Sequence, residues 1–390
     1  MQRRALWLII GIVGGLLAIL LFGSGLALAI FLASRGRLTA AETMPVAGVM
    51  ALSLELGVPL ALQGWHGWQA RPSRPFSPSR LWRLGFLFVL FILLGAVVSS
   101  FHLTTAFLLP PIHVLAMSLS PLILLGLAGW ALRASTWREV IAGMASGGFI
   151  GTGASLICEV LIALTLVAAA LLVTLTVPGG EERLTSLASD LQDPAWLADI
   201  ANSSQFLLSP AIAISTLVMF SVIVPLVEEF FKTLAAGMMA RWVRPHPARA
   251  FLWGVASGAG FALVENLFNG ALGGVEGWAA VAVSRFGATA MHCFTGGLVG
   301  WGWGQLWKKR PLRLLGSYAA AVTVHGVWNG AAMGVVLLSA SMLAQAEDNV
   351  WHVLAGSGIL ALVGMLGLLA VAFIVALLLV GQKLTGESQR

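Results

Sequence analysis

The chain has 390 residues, 58% hydrophobic and 10% charged, with a mean hydropathy of +0.92. That balance excludes a soluble globule of this size, which would lack the polar residues to cover its surface. The formal charge of +6 comes from basic residues set between apolar runs, where they orient a membrane protein rather than grip nucleic acid, and the two cysteines, Cys158 and Cys293, exclude both a disulfide framework and a cysteine-rich zinc module.

About 20 apolar residues cross a bilayer. Ten stretches qualify: 5–33, 44–63, 84–108, 112–132, 140–177, 210–240, 250–272, 279–306, 314–339 and 351–381. The first follows Met1-Gln-Arg-Arg but is too long for a secretory signal core, so it reads as a transmembrane helix. The second contains Glu55 and Pro59 and is the one open to a re-entrant reading. The expected fold class is all-α, a polytopic transmembrane helix bundle of about ten helices in the inner membrane. Both termini are expected in the cytoplasm, because the loops Arg71–Arg83, Arg241–Arg249 and Lys308–Arg313 then all lie inside.

Pro178-Gly179-Gly180 closes one helix and Pro210 opens another. The outer loop between them carries Glu181, Glu182, Asp190, Asp193 and Asp199 against Arg183. It divides the chain into 1–209, helices of unknown role, and 210–390, a polar-cored second half. Gly143-Met-Ala-Ser-Gly-Gly-Phe echoes Gly254-Val-Ala-Ser-Gly-Ala-Gly-Phe, and Gly296–Gly304 is glycine-rich. Both read first as close helix-packing seams. His66, His102, His113, His246 and His352 fall at or near predicted membrane ends, and Glu55 reads as a polar link between helices.

Charged groups deep in a bilayer are costly and persist where they face a partner or a wet cavity. Four consecutive predicted helices after Pro210 carry such groups: Glu228, Glu229 and Lys232; Glu265 and Asn266; His292; and His325 with Asn329. Glu229 lies 12 residues from Arg241, Glu265 16 from Arg249, His292 16 from Lys308 and His325 12 from Arg313. At about 1.5 Å per residue these are depths of roughly 18–24 Å, a common level. Lys232 can neutralise one of the two adjacent carboxylates, leaving the other to point elsewhere around the helix. Such a layer suits hydrolysis or proton handling. In a hydrolase, Glu228 or Glu229 is the base, His292 and His325 orient water, stabilise an oxyanion or donate a proton, and Asn329 is an amide donor. Alternatively, His292, His325 and a glutamate such as Glu265 hold a catalytic zinc, with a second glutamate as base.

The motifs Glu228-Glu229-x-x-Lys232, Phe261-x-x-x-Glu265-Asn266, His292 with Arg285 before it and Gly296 after it, and His325-x-x-x-Asn329 occur in that order over residues 228–329. This pattern resembles the PrsW family of membrane proteases, related to the CAAX-prenyl endopeptidase and bacteriocin-immunity group. The resemblance implies a membrane fold of eight or so helices and endopeptidase cleavage of a membrane-anchored protein, in regulated proteolysis of the anti-sigma-factor type. It implies catalytic roles for Glu228, Glu229, Glu265, His292 and His325, supported by Lys232, Phe261, Asn266 and Asn329. Zinc and a metal-free glutamate mechanism both stay open, and the expected partners are the substrate and lipid. Two other classes compete: a proton-coupled transporter, which predicts flux without cleavage, and a non-catalytic membrane scaffold, which predicts that Glu229→Gln and His325→Ala change nothing.

Overall fold

The structure, a computed structural model, describes residues 2–101, 105–190, 192–193, 195, 207–271, 274–345 and 349–386. His102 and Asp199 lie outside the described residues. The helices in order are α1 Gln2–Ser34, α2 Ala40–Trp68, α3 Leu81–Val98, α4 Thr105–Leu132, α5 Trp137–Thr176, α6 Gly180–Asp190, α7 Pro210–Val243, α8 Pro247–Asn269, α9 Trp278–Leu306, α10 Pro311–Ala344 and α11 Asn349–Gly386. Among the described residues the only extended pairing is an isolated bridge between Pro75 and Thr136. Among the described residues, nine helices are long and apolar enough to span a membrane. The described residues thus form an all-α, polytopic bundle of membrane-length helices.

The starts of the helices follow from local chemistry. Thr39 and Glu42 form a capping box at α2, as do Thr136 and Glu139 at α5, each satisfying amides that a helix start leaves bare. Proline occupies the first helical position of α7, α8 and α10, where its missing N–H costs nothing. Three helices contain a widened π-type turn, at Ser53–Gly57 in α2, Ser146–Gly151 in α5 and Met219–Ile223 in α7. α2 nevertheless runs unbroken from Ala40 to Trp68, so the re-entrant reading is not needed. α9 is the expected span that is not among the nine, because its serine, arginine, threonine, histidine and glycine residues dilute its hydropathy. The acidic segment after Pro178 is not all loop: α6 forms there, with Glu181 and Glu182 in its first turn, where the helix dipole favours negative charge.

The helices contribute to two compact units. The first comprises Met1–Gly153, Glu228–His325 and Leu369–Arg390; the second comprises Ala154–Val227 and Gly326–Leu368. In the first unit α8 is central, buried almost without interruption from Ala250 to Val264. Small residues make this possible. A Cβ on Gly254 would strike the Gly296 carbonyl of α9, and one on Gly147 of α5 would strike the Ser257 carbonyl of α8. Backbones therefore approach directly, the packing that substitutes in lipid for a hydrophobic driving force. The two echoing glycine segments of the sequence thus pack on each other, Gly143 against Ala256 and Gly147 against Ser257. By contrast α1 and α3 present Leu, Ile, Val and Phe outward, as lipid-facing helices do.

Polar pairs lock this unit further. Glu139 at the start of α5 takes both an ion pair and hydrogen bonds from Arg249 at the start of α8, with Trp253 Nε1 donating at 3.3 Å. Ser118 donates to Glu55 at 2.7 Å, the expected polar link. His113 corrects an expectation. It is fully buried rather than interfacial, its Nε2 2.9 Å from the Leu267 carbonyl and its Nδ1 accepting from Trp278 at 3.1 Å, so it ties α4 to α8 and α9. In the second unit Asn329 on α10 donates to the Phe220 carbonyl of α7 at 3.1 Å, and Trp351 on α11 donates to Ser341 on α10 at 3.2 Å.

Candidate active site

The polar layer expected from the sequence assembles within the first unit. Glu228, Glu229 and Lys232 come from α7, Phe261, Glu265 and Asn266 from α8, Arg285, Thr289, His292 and Thr295 from α9, and His325 from α10. Glu229 and Lys232 are completely buried, and Glu228, His292 and His325 nearly so. Close packing sets their positions: Gly151, at the end of the π-type turn of α5, lies against the Lys232 backbone, and Gly258 of α8 lies against the His292 carbonyl. The Ser257 hydroxyl donates to the Lys232 carbonyl, fixing α7 to α8 one turn above the carboxylates.

Lys232 pairs with Glu229, at 2.6 Å, rather than with Glu228. Residues three apart on a helix are neighbours as surely as those four apart. The same Glu229 Oε1 receives His325 Nδ1 at 2.8 Å and the Thr295 hydroxyl at 3.0 Å, so three donors converge on one oxygen. The other oxygen, Oε2, is buried and has no hydrogen-bond partner among the described residues. Lys232 Nζ also lies 2.8 Å from His292 Nδ1 and 5.0 Å above the Phe261 ring, which gives the ammonium a cation–π face.

Each histidine therefore has one nitrogen tied to a carboxylate. His325 Nδ1 meets Glu229, and His292 Nε2 meets Glu265 at 2.7 Å. The rings stand edge to face with centroids 4.9 Å apart. Their remaining nitrogens are His325 Nε2, 3.6 Å from Glu228 Oε2, and His292 Nδ1, beside Lys232. One ligand-type atom from each of Glu228, His292 and His325 lies within 4.8 Å of the other two. Glu265, a metal candidate in the sequence, sits behind His292 instead, held by Arg285 at 2.8 Å.

Behind Glu265 a hydrogen-bonded chain runs outward. Arg285 Nε donates to Asn266 Oδ1 at 2.9 Å, and the Asn266 amide nitrogen donates to Thr289 at 2.9 Å, Ser120 at 3.0 Å and the Met117 carbonyl at 3.3 Å. Asn266 thus bridges α8, α9 and α4. Sequence reasoning missed Thr289, Thr295 and Ser120. For the first two a signal existed, since Arg285, Thr289, His292 and Thr295 recur at three- and four-residue spacing along one stripe of α9. Ser120 gave none. Asn329 gives its amide to Phe220 in the second unit.

A buried cluster of carboxylates and imidazoles, with each imidazole oriented by a carboxylate, can position water, move a proton and hold a divalent cation. A family model described as PrsW family intramembrane metalloprotease matches residues 135–378. The chain belongs to the PrsW family of intramembrane metalloproteases. It is accordingly a membrane-embedded protease, a peptide hydrolase. The PrsW match begins upstream of Pro210 and takes in α5, α6 and all four helices of the polar layer. No curated protein and no solved structure matches the chain.

Proposed function

We propose that this PrsW-family chain cleaves membrane-anchored proteins with Glu229 as the base that activates water. In this reading Glu228, His292 and His325 form a His₂-carboxylate set for a divalent metal, zinc by donor type. The observation that carries the reading is the divided environment of Glu229, which adjoins Glu228 in the chain and bonds to His325: one oxygen is held by three donors, and the other is buried without a hydrogen-bond partner among the described residues. The donor set fits a cation. Glu228, Glu229 and Glu265 supply three carboxylates against the two cations Lys232 and Arg285, leaving one negative charge, and both histidines have the carboxylate backing that metal-ligating histidines usually have. When bound, the metal would polarise the scissile carbonyl and acidify the attacking water.

The residues themselves do the proton work. Glu229 Oε2 takes a proton from water as the water oxygen bonds to the carbonyl carbon. The same proton passes to the amide nitrogen as the C–N bond breaks, regenerating the carboxylate. Lys232, His325 and Thr295 keep Oε1 fixed so that only Oε2 is available. Glu265, held by Arg285, orients His292, and the Phe261 ring gives the Lys232 ammonium an aromatic face 5.0 Å away. The His292 Nδ1 that would hold a metal is the atom Lys232 Nζ approaches at 2.8 Å, so His292 would serve as a ligand only with that contact released. The biological setting proposed is regulated proteolysis of a membrane-anchored regulator of the anti-sigma-factor type, as the resemblance to the PrsW family implies.

Cleavage of tagged single-span membrane proteins, combined with metal analysis of the purified enzyme, tests this. Glu229→Gln is expected to lower the rate by about 10²–10⁴ while keeping its metal. Glu228→Gln and His325→Ala are expected to lose metal and cleavage together. Wild-type rates in Glu229→Gln would remove the base assignment, and full activity in metal-free protein would replace the metal set with a metal-free glutamate mechanism.

A further inference from the structure

Away from the protease site, the first unit contains a cavity of about 650 Å³ where the first turn of α8, the turn from α9 into α10 and the last turns of α11 meet. Its rim carries Lys308, Arg310, Arg313 and Lys383, and among the described residues no carboxylate lines it. Its floor is apolar, built from Phe251, Leu298, Trp301, Val380 and Leu384, with Phe251 and Leu384 buried. Gln305 is buried in the wall and accepts from Arg313 Nη1 at 3.2 Å, which tethers one rim cation over the floor.

Two helix N-termini add to the positive field. Pro247 opens α8 on the cavity wall, and α10 begins at Pro311 between the rim residues Arg310 and Arg313. Neither helix has an acidic residue of its own in its first turn, although Glu139 of α5 pairs with Arg249 at the start of α8. Because α8 to α11 alternate in direction, these ends belong to one face of the membrane, the level of lipid headgroups. A soluble anion would have use for the rim but not the floor; a lipid chain would have use for the floor but not the rim. An amphiphile with an anionic head uses both, and the volume is within the roughly 300–1,000 Å³ of built ligand sites.

We propose that this cavity is a binding site for an anionic phospholipid, its phosphate among Lys308, Arg310, Arg313 and Lys383 and its glycerol and upper acyl chain on the floor formed by Leu298 and Trp301. Basic pockets between helix ends on one membrane face recognise anionic headgroups in this way. The test uses the full-length protein, delipidated in detergent and given phosphatidylglycerol and phosphatidylcholine in equal amounts, with retained lipid read by native mass spectrometry. The wild type is expected to keep phosphatidylglycerol in preference, and each of Lys308→Gln, Arg310→Gln, Arg313→Gln and Lys383→Gln to weaken retention about fivefold. Leu298→Trp keeps every charge and fills the floor; it is expected to lose the lipid too, which a diffuse basic surface would not. Equal retention of the two lipids, charge variants that retain phosphatidylglycerol like the wild type, or undiminished binding by Leu298→Trp overturns the proposal. So does displacement by glycerol phosphate at the lipid's own concentration, which would mark the site as one for a soluble phosphate.

Discussion

Replacing Lys232 by methionine keeps the length of the side chain and removes its charge from a place where both partners are fully buried and 2.6 Å apart. Breaking a buried ion pair from one side costs about 3–5 kcal/mol, because the remaining charge must stay out of water without compensation. Glu229 would still hold His325 Nδ1 at 2.8 Å and the Thr295 hydroxyl at 3.0 Å, which places the expected loss for Lys232→Met at the lower end, about 3 kcal/mol. The companion variant Lys232→Met/Glu229→Gln removes the stranded charge. If desolvation of the carboxylate is the main cost, it should recover about 2 kcal/mol of that loss, making the two substitutions strongly non-additive. Reversible unfolding in mixed micelles, followed by helicity and fitted for wild type, both single variants and the double variant, measures this coupling. A cost below about 1 kcal/mol for Lys232→Met, or a double variant no more stable than Lys232→Met, would refute the account of Glu229 as a buried carboxylate held by charge.

Thr295→Val removes one of the three donors to Glu229 Oε1 without changing side-chain size; a loss of about 1.5–3 kcal/mol, the worth of a hydrogen bond to a charged group, is expected in the same unfolding assay. Ser120→Ala takes one acceptor from Asn266 and leaves Thr289 and the Met117 carbonyl, so about 1 kcal/mol of stability should go. Its cleavage assay should show a lower kcat at unchanged KM, since Asn266 holds the Arg285 that orients Glu265; an unchanged kcat would separate this chain of bonds from catalysis. Gly258→Leu drives a side chain into the His292 carbonyl and should cost about 1–3 kcal/mol or more and abolish cleavage, whereas Gly15→Leu on α1, where a Cβ meets nothing within 4 Å, should be silent in both assays.

The membrane helices were legible because a bilayer imposes one length and one composition on whatever crosses it. Every expected span has a helix in it, although 84–108 overran, since α3 ends at Val98 and α4 already begins at Thr105, and Pro210, Pro247 and Pro311 start helices where proline is tolerated. That Glu229, Glu265, His292 and His325 share one level of the bundle was legible too, because rise per residue is nearly constant. What could not be read was azimuth. Depth does not tell which of Glu228 and Glu229 faces Lys232, nor that Glu265 would stand behind His292 rather than beside the other donors. Nor could the packing partners of α8 be read from its own sequence. A serine among the apolar residues of α4 looks like any other until the Asn266 amide is found at 3.0 Å. His113 misled for the opposite reason: nearness to the end of an apolar run suggested water, whereas the partners that bury it come from α8 and α9.

The hold of α4 on Asn266 has a consequence for the ancestry of this enzyme. The part of the chain recognisable as its family starts at residue 135, yet two of the three acceptors for the Asn266 amide, Ser120 and the Met117 carbonyl, precede it. A fragment cut at the family boundary would inherit every residue of the motifs and lose part of the scaffold that aligns them. Transplanting this segment onto other membrane helices would therefore demand hydrogen-bond acceptors replacing those of α4, and lineages that exchanged their leading helices would have had to reinvent that contact or drift in the geometry of Glu265.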